Sequence, residues 1–238
     1  MELSPYQETI PSYRSNSKKK LDAPFSPIPD EAEREFFADL QSLVQVKRVA
    51  SRSQSFSKIC GVDAAYSRSD NRVVAAAVLF IDGTPSEAAI YSGRFTFPYV
   101  SGLFYLHEGP FVVAAVKRLK IVPDLVCFDA HGAAHPRERG LATICGAILG
   151  LPSIGIAKHK LVGETAAYTD KMQKIVMGGK TVGFVTCSES KKRYWSPGYA
   201  INIQELENLI NHSSHTCVST IDSADRAARS ELSRDLKS

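Results

Sequence analysis

Two short apolar runs, Leu125-Val126-Cys127-Phe128 and Ser153-Ile154-Gly155-Ile156-Ala157, each end on a charged residue, Asp129 and Lys158. Between them Leu141, Ile144, Cys145, Ile148 and Leu149 fall at i, i+3, i+4, i+7 and i+8, the spacing of a helix with one apolar face. Strand, loop, helix and strand in that order predict a parallel βαβ unit, because parallel neighbours need a crossover between them. In open α/β sheets ligands bind beyond the carboxyl ends of such strands, so Asp129 and Lys158 are expected side by side there. An acid beside a base at that place suggests a metal and a phosphate.

Upstream, Ile59 to Tyr66 reads as a buried strand with Asp63 in its middle. A carboxylate in an apolar run costs several kcal/mol unless it is paired or binds a cation. The plainer alternative is a surface acid on an edge strand. Val73 to Ile81 returns as a β-branched hairpin partner, and Ala88 to Phe97 supplies a third strand after the Asp82-Gly83 turn. Together these segments predict an α/β fold: a mixed five-stranded sheet, order 3-2-1-4-5, with helices on both faces. A helix is expected from Asp30 to Val44, with Phe36, Phe37, Leu40, Leu43 and Val44 as its apolar face. Another should run from about Pro110 to Lys120, with Glu108 just ahead of it or at a kink in a longer helix. Beyond Lys158 the pattern gives strands near 181–186 and 194–199, then helices over 201–210 and 219–229. The last of these carries Asp225, whose plainer role is an i, i+4 ion pair with Arg229.

The 238 residues suit a single domain. Residues 1–30 hold five of the 12 prolines and the Lys18-Lys19-Lys20 run, so they are expected to be a flexible extension ahead of one catalytic domain, 31–238. No apolar run is long enough to span a membrane, and the N-terminus lacks the charged and apolar regions of a secretory signal. The five cysteines are scattered without a CxxC, which favours small buried hydrophobes over a zinc or redox site and a reducing, cytoplasmic setting. A formal charge of +4 permits a polyanionic partner without demanding one. With no interface signature, a monomer is expected.

In the order 3-2-1-4-5 the first and fourth strands are neighbours, so Asp63 and Asp129 can approach one another, with Glu108 and Asp225 as further acids. Converging carboxylates without a histidine or cysteine cluster favour Mg²⁺ or Mn²⁺ over zinc. Such a site suits phosphodiester hydrolysis. Lys158 could hold a phosphate oxygen as a point charge and Arg137 could do so bidentately, while His135 could donate a proton or contact substrate.

Seven segments extend this reading: GVDAAY (61–66), FPYVSG (97–102), EGP (108–110), FDAHGAAHPRERGLA (128–142), LPSIGIAK (151–158), SPG (196–198) and ADRAAR (224–229). In order and separation they resemble endonuclease V. The resemblance implies an RNase H-like fold and Mg²⁺-dependent nicking of DNA containing deoxyinosine, or RNA containing inosine, at the second phosphodiester bond 3′ of the altered base. By motif, Asp63, Glu108 and Asp129 match the metal-binding acids, with Asp225 completing the site. Tyr99 falls at the strand-separating wedge, and His135, Arg137 and Lys158 match catalytic-loop and phosphate-contacting positions. Loop backbone near Gly102 and Gly132 would read the base, which must leave the stack. Five positions depart from the family's pattern: Ser101 for proline, His107 for arginine, Ala130 for glycine, Tyr199 for histidine and Asp222 for arginine. Ala130 would be strained if its backbone needed positive φ. Two other readings remain: a junction-resolvase type of RNase H-like nuclease, and a non-catalytic protein that detects inosine.

Overall fold

The computed structural model describes residues 31–45, 56–67, 70–169, 172–188 and 191–235. The expected extension 1–30, with Lys18–Lys20, lies outside these residues. The helix α1 (Glu31–Leu43) precedes a meander of β1 (Lys58–Tyr66), β2 (Arg72–Ile81) and β3 (Thr84–Arg94). Then come α2 (Phe104–Lys117), β4 (Leu125–Phe128), α3 (Leu141–Leu149) and β5 (Ser153–Ala157). The chain continues through β6 (Glu164–Thr169), β7 (Met172–Met177), β8 (Lys180–Ser188) and β9 (Lys191–Pro197) to α4 (Ile203–Asp235).

The sheet runs β3-β2-β1-β4-β5-β9-β8-β7-β6. The expected order 3-2-1-4-5 is present, and β1 pairs parallel with β4, and β4 with β5. The expected count of five is corrected to nine strands. β5 offers its outer edge to β9, and β8, β7 and β6 continue the sheet antiparallel. β6 and β7 carry little apolar periodicity because this end of the sheet is poorly covered: Met172 and Ile175 are the buried residues of β7.

Successive side chains of a strand face opposite sides, and β1 shows this clearly. Cys60, Val62 and Ala64 share a core with Val112, Val113 and Val116 of α2 and Leu141, Ala142 and Cys145 of α3. Ile59 shares the opposite core with Leu206, Leu209, Ile210, Cys217 and Ile221 of α4. Asp63 has the parity of Ile59 and so lies on the α4 face.

Two helices differ from their expected bounds. α2 begins at Phe104, so Pro110 sits inside it, on its exposed side, and Glu108 is an interior residue of the helix. The segments 201–210 and 219–229 are parts of one 33-residue helix. Asn211 to His215 break the apolar periodicity, but they contain no glycine or proline to break the helix. Among the described residues no helix is long and apolar enough to cross a membrane.

The contact between β1 and α4 is set by Gly61. A Cβ there would meet the Thr220 carbonyl carbon at 2.2 Å and the Ile221 nitrogen at 2.4 Å, both backbone atoms that cannot swing aside. Gly61→Ala is therefore expected to push α4 off the sheet and cost about 3 kcal/mol, read as a Tm lower by roughly 10 °C in thermal unfolding.

Candidate active site

Parallel pairing sets Val62 opposite Phe128, so the next residues, Asp63 and Asp129, emerge level at one end of the sheet. The Asp129 amide donates to the Val62 carbonyl at 3.2 Å, which fixes that register. β5 delivers Lys158 beside Asp129 and the two form an ion pair. Glu108 reaches the same place from the second turn of α2, and Asp225 from α4. All five line one cavity of about 560 Å³, together with Tyr66 and Arg229. Asp63 and Asp129 thus share a cavity, as strand order leads one to expect.

Burial dominates the electrostatics. The Asp63 carboxyl is 7% exposed, and burial, reinforced by Asp129, raises its pKa to about 8 despite the opposing pull of Lys158. Its Oδ1 accepts the Ala64 amide at 2.8 Å. Glu108, 4% exposed, is held well above the ordinary carboxylate range, by burial first and then by Asp63 and Asp129. The Tyr66 hydroxyl donates to its Oε2 at 3.3 Å. Burial works to lower the Lys158 ammonium, but the hydrogen bond to Asp129 and the charges of Asp129, Asp63 and Asp225 together outweigh this and hold it above its usual value. Asp225 accepts from Arg229 Nε at 2.7 Å, so the i, i+4 pair exists inside the same cavity.

Among the described residues that line the cavity, four acids face two bases. Among the described residues no three His, Cys, Asp or Glu groups stand close enough to enclose a metal ion as placed. The donors are nonetheless all carboxylate oxygens, the chemistry that fits a hard divalent cation.

A second cavity, of about 310 Å³, shares Phe104, Asp129 and Lys158 with the first. Tyr99, on the loop between β3 and α2, stands at its mouth, 66% exposed and edge-on to Phe104 at 5.6 Å.

The endonuclease V family model matches residues 39–225. The chain belongs to the endonuclease V family. It is 37% identical over 153 residues to the Aeropyrum pernix endonuclease V, covering 63% of this chain and 60% of that protein. The Sulfolobus acidocaldarius endonuclease V is 34% identical, over 74% of this chain and 85% of the relative. Among solved structures, the Streptomyces avermitilis endonuclease V superposes with a TM-score of 0.75 at 28% identity, covering 88% and 96% of the two chains. A Ciona intestinalis endonuclease V, in complex with a DNA containing an inosine followed by a ribo-adenosine, shares the fold with a TM-score of 0.74 at 17% identity, over 87% and 99%. Membership gives the sheet its RNase H-like class and places the chain among phosphodiester-cleaving nucleases.

The HPR loop of this endonuclease V chain differs from expectation in what its side chains touch. His135 is buried. The Arg137 amide donates to its Nδ1 at 3.2 Å, and its Nε2 lies 3.1 Å from the Gly102 carbonyl. Burial, then the Arg137 charge, lower its pKa to about 3, so the ring is neutral. Arg137 donates to the same carbonyl at 2.7 Å and to Gln41 Oε1 at 2.6 Å. Both residues clamp the Tyr99 loop to the HPR loop. Gly102 needs its positive φ of +80°, and a Cβ there would meet Arg137 at 3.1 Å. Gly132 donates to Ser196 Oγ at 2.8 Å and accepts from the Gly140 amide at 2.9 Å, so its backbone is committed within the fold.

Sequence reasoning missed Gln41, Tyr66, Phe104 and His131. Gln41 is the buried residue of α1, whereas Phe36, Leu40 and Leu43 of the expected apolar face are exposed. Its signal was a polar residue one turn from both Phe37 and Val44. Tyr66 and Phe104 read only as apolar positions. His131 leaves Nδ1 buried without a partner at the second cavity, and nothing in its glycine-flanked loop marks it. The departures are accommodated. Ala130 is absent from the positive-φ residues, so it carries no such strain. His107 stacks on Phe95 at 3.9 Å and its Nδ1 lies 2.7 Å from the Phe97 carbonyl. Asp222 faces Arg193 at 3.7 Å, and the Tyr199 amide donates to Ser153 Oγ at 2.9 Å.

A carboxyl that folding raises from an ordinary value near 4 takes up a proton on folding, so stability falls as pH rises from about 4 to about 8 and then levels. Without divalent cations, Asp63→Asn is expected to raise Tm at pH 8 by roughly 5 °C, with that gain vanishing near pH 4.

Proposed function

We propose that this chain is a divalent-cation-dependent endonuclease that nicks DNA, or RNA, at the second phosphodiester bond 3′ of inosine, acting as a cytoplasmic monomer in the repair of deaminated adenine. The observation that carries the reading is the shared wall of Asp129, Lys158 and Phe104 between the acidic cavity and the cavity under Tyr99. An altered base held in the second would set the strand's following phosphates across the first. The family's relatives carry the name of such an enzyme, and one solved relative holds inosine-containing DNA.

Asp63, Glu108 and Asp129 would hold Mg²⁺ or Mn²⁺, with Asp225 beside them. A cation there would supply Lewis acidity and a more acidic water. It would also supply the positive charge that Asp63 and Glu108 lack. With Asp129 among the residues that would hold the cation, Lys158 would hold a phosphate oxygen as a point charge. Tyr99 stacks in the gap left by the base, offsetting part of the unstacking. His135 and Arg137 act through the Gly102 carbonyl, fixing the cavity that receives the base. Gly132 lets the same loop lie against Pro197, where a Cβ would meet the carbonyl oxygen at 2.2 Å.

The test is incubation of labelled strands, with and without inosine, with Mg²⁺ or chelator. The expected result is Mg²⁺-dependent nicking one nucleotide beyond the inosine, lost with chelator. Asp129→Ala should slow the cut on the order of a hundred-fold or more. Tyr99→Ala should raise KM about ten-fold, the worth of one stacked base. Cutting at branched junctions would point instead to a resolvase, and retention without cutting to a binding protein.

A further inference from the structure

The two cavities adjoin. Lys158 and Asp129 belong to both, whereas Arg229 lines only the acidic one, on the α4 side with Leu232 and Ser233. A strand with its altered base in the second cavity would pass the wall of Lys158 and Asp129 that both cavities share before it reaches Arg229, which lines the acidic cavity alone. Each base is paired with an acid of the acidic cavity, Lys158 with Asp129 and Arg229 with Asp225.

Arg229 is suited to take a phosphate. Its side chain is 68% exposed, and among the described residues its guanidinium is engaged at Nε alone, by Asp225 at 2.7 Å. That pairing orients the side chain along the cavity rim without enclosing it. Asp225 first, and then Asp63 and Tyr66 of the same cavity, hold its guanidinium above the usual value. The group that pairs with Asp225 in the free protein can thus turn to an incoming anion while staying on the rim. Guanidinium also grips phosphate through paired donors, which an ammonium cannot do.

We infer that Arg229 holds the phosphate one step 3′ of the bond that is cut, making the last turns of α4 the exit wall of the strand's path. This rests on the function proposed above, which supplies the direction of the strand.

The test is equilibrium binding of the full-length protein by fluorescence anisotropy, with Ca²⁺ in place of Mg²⁺, on two single strands. One extends several nucleotides past the scissile bond. The other ends at the second nucleoside 3′ of inosine and so lacks the next phosphate. The wild-type protein is expected to bind the short strand about five-fold more weakly. Arg229→Ala should bind the long strand as weakly as the wild type binds the short one, and be indifferent to truncation. Its salt slope on the long strand should be shallower by about 0.7. Arg229→Lys should recover part of the sensitivity to truncation. If Arg229→Ala binds the long strand like wild type, or still loses five-fold on truncation, the assignment is wrong while the function stands. If wild type neither prefers inosine strands nor cuts them with Mg²⁺, the function falls and this inference with it.

Discussion

Like charges crowded at one end of a sheet are the constraint on which this structure turns. Asp63, Glu108, Asp129 and Asp225 come from four separate elements and meet where, among the described residues, Lys158 and Arg229 answer them. Ionised carboxylates at such range repel, and burial removes the water that would screen them. Burial and the neighbouring acids push the Asp63 and Glu108 carboxyls above the ordinary carboxylate range, while Asp129 and Asp225 are paired with bases. Under the proposed function a divalent cation would answer the same charges.

The rest of the fold serves that meeting point. Gly61 brings α4 onto β1 with no side chain between them, which puts Asp225 over the strand that carries Asp63. The parallel pair β1 and β4 brings Asp63 and Asp129 level. On the other face, Gln41, Arg137 and His135 join α1, the HPR loop and the Tyr99 loop through the Gly102 carbonyl. One side is held by close backbone packing, the other by long side chains that converge on a single backbone carbonyl. Between them the two cavities adjoin and share a wall.

Much of this was legible in the sequence, for a physical reason. A buried strand that contains or ends on a charge is costly, so Asp63, Asp129 and Lys158 stood out against apolar neighbours, and the βαβ order fixed which of them would meet. Elements without such contrast were harder to read. β6 and β7 form an exposed sheet end and show little periodicity. Pro110 resembles a helix start although α2 begins at Phe104, because proline on an exposed side is accommodated there. The polar stretch Asn211 to His215 hides the continuity of α4. Arg137 reads as a phosphate contact and His135 as a proton donor or substrate contact, and in the structure both side chains lie on the Gly102 carbonyl. A guanidinium and an imidazole satisfy either partner equally well, and sequence does not say which lies nearer.

The central claim is that these acids form one site for a divalent cation. Diffraction from crystals grown with Mn²⁺, collected for its anomalous signal, tests it most directly. The account predicts a peak among the carboxylates of Asp63, Glu108 and Asp129, with Lys158 released from Asp129. Strong data with no peak there, and Lys158 and Arg229 still seated on their acids, would contradict it.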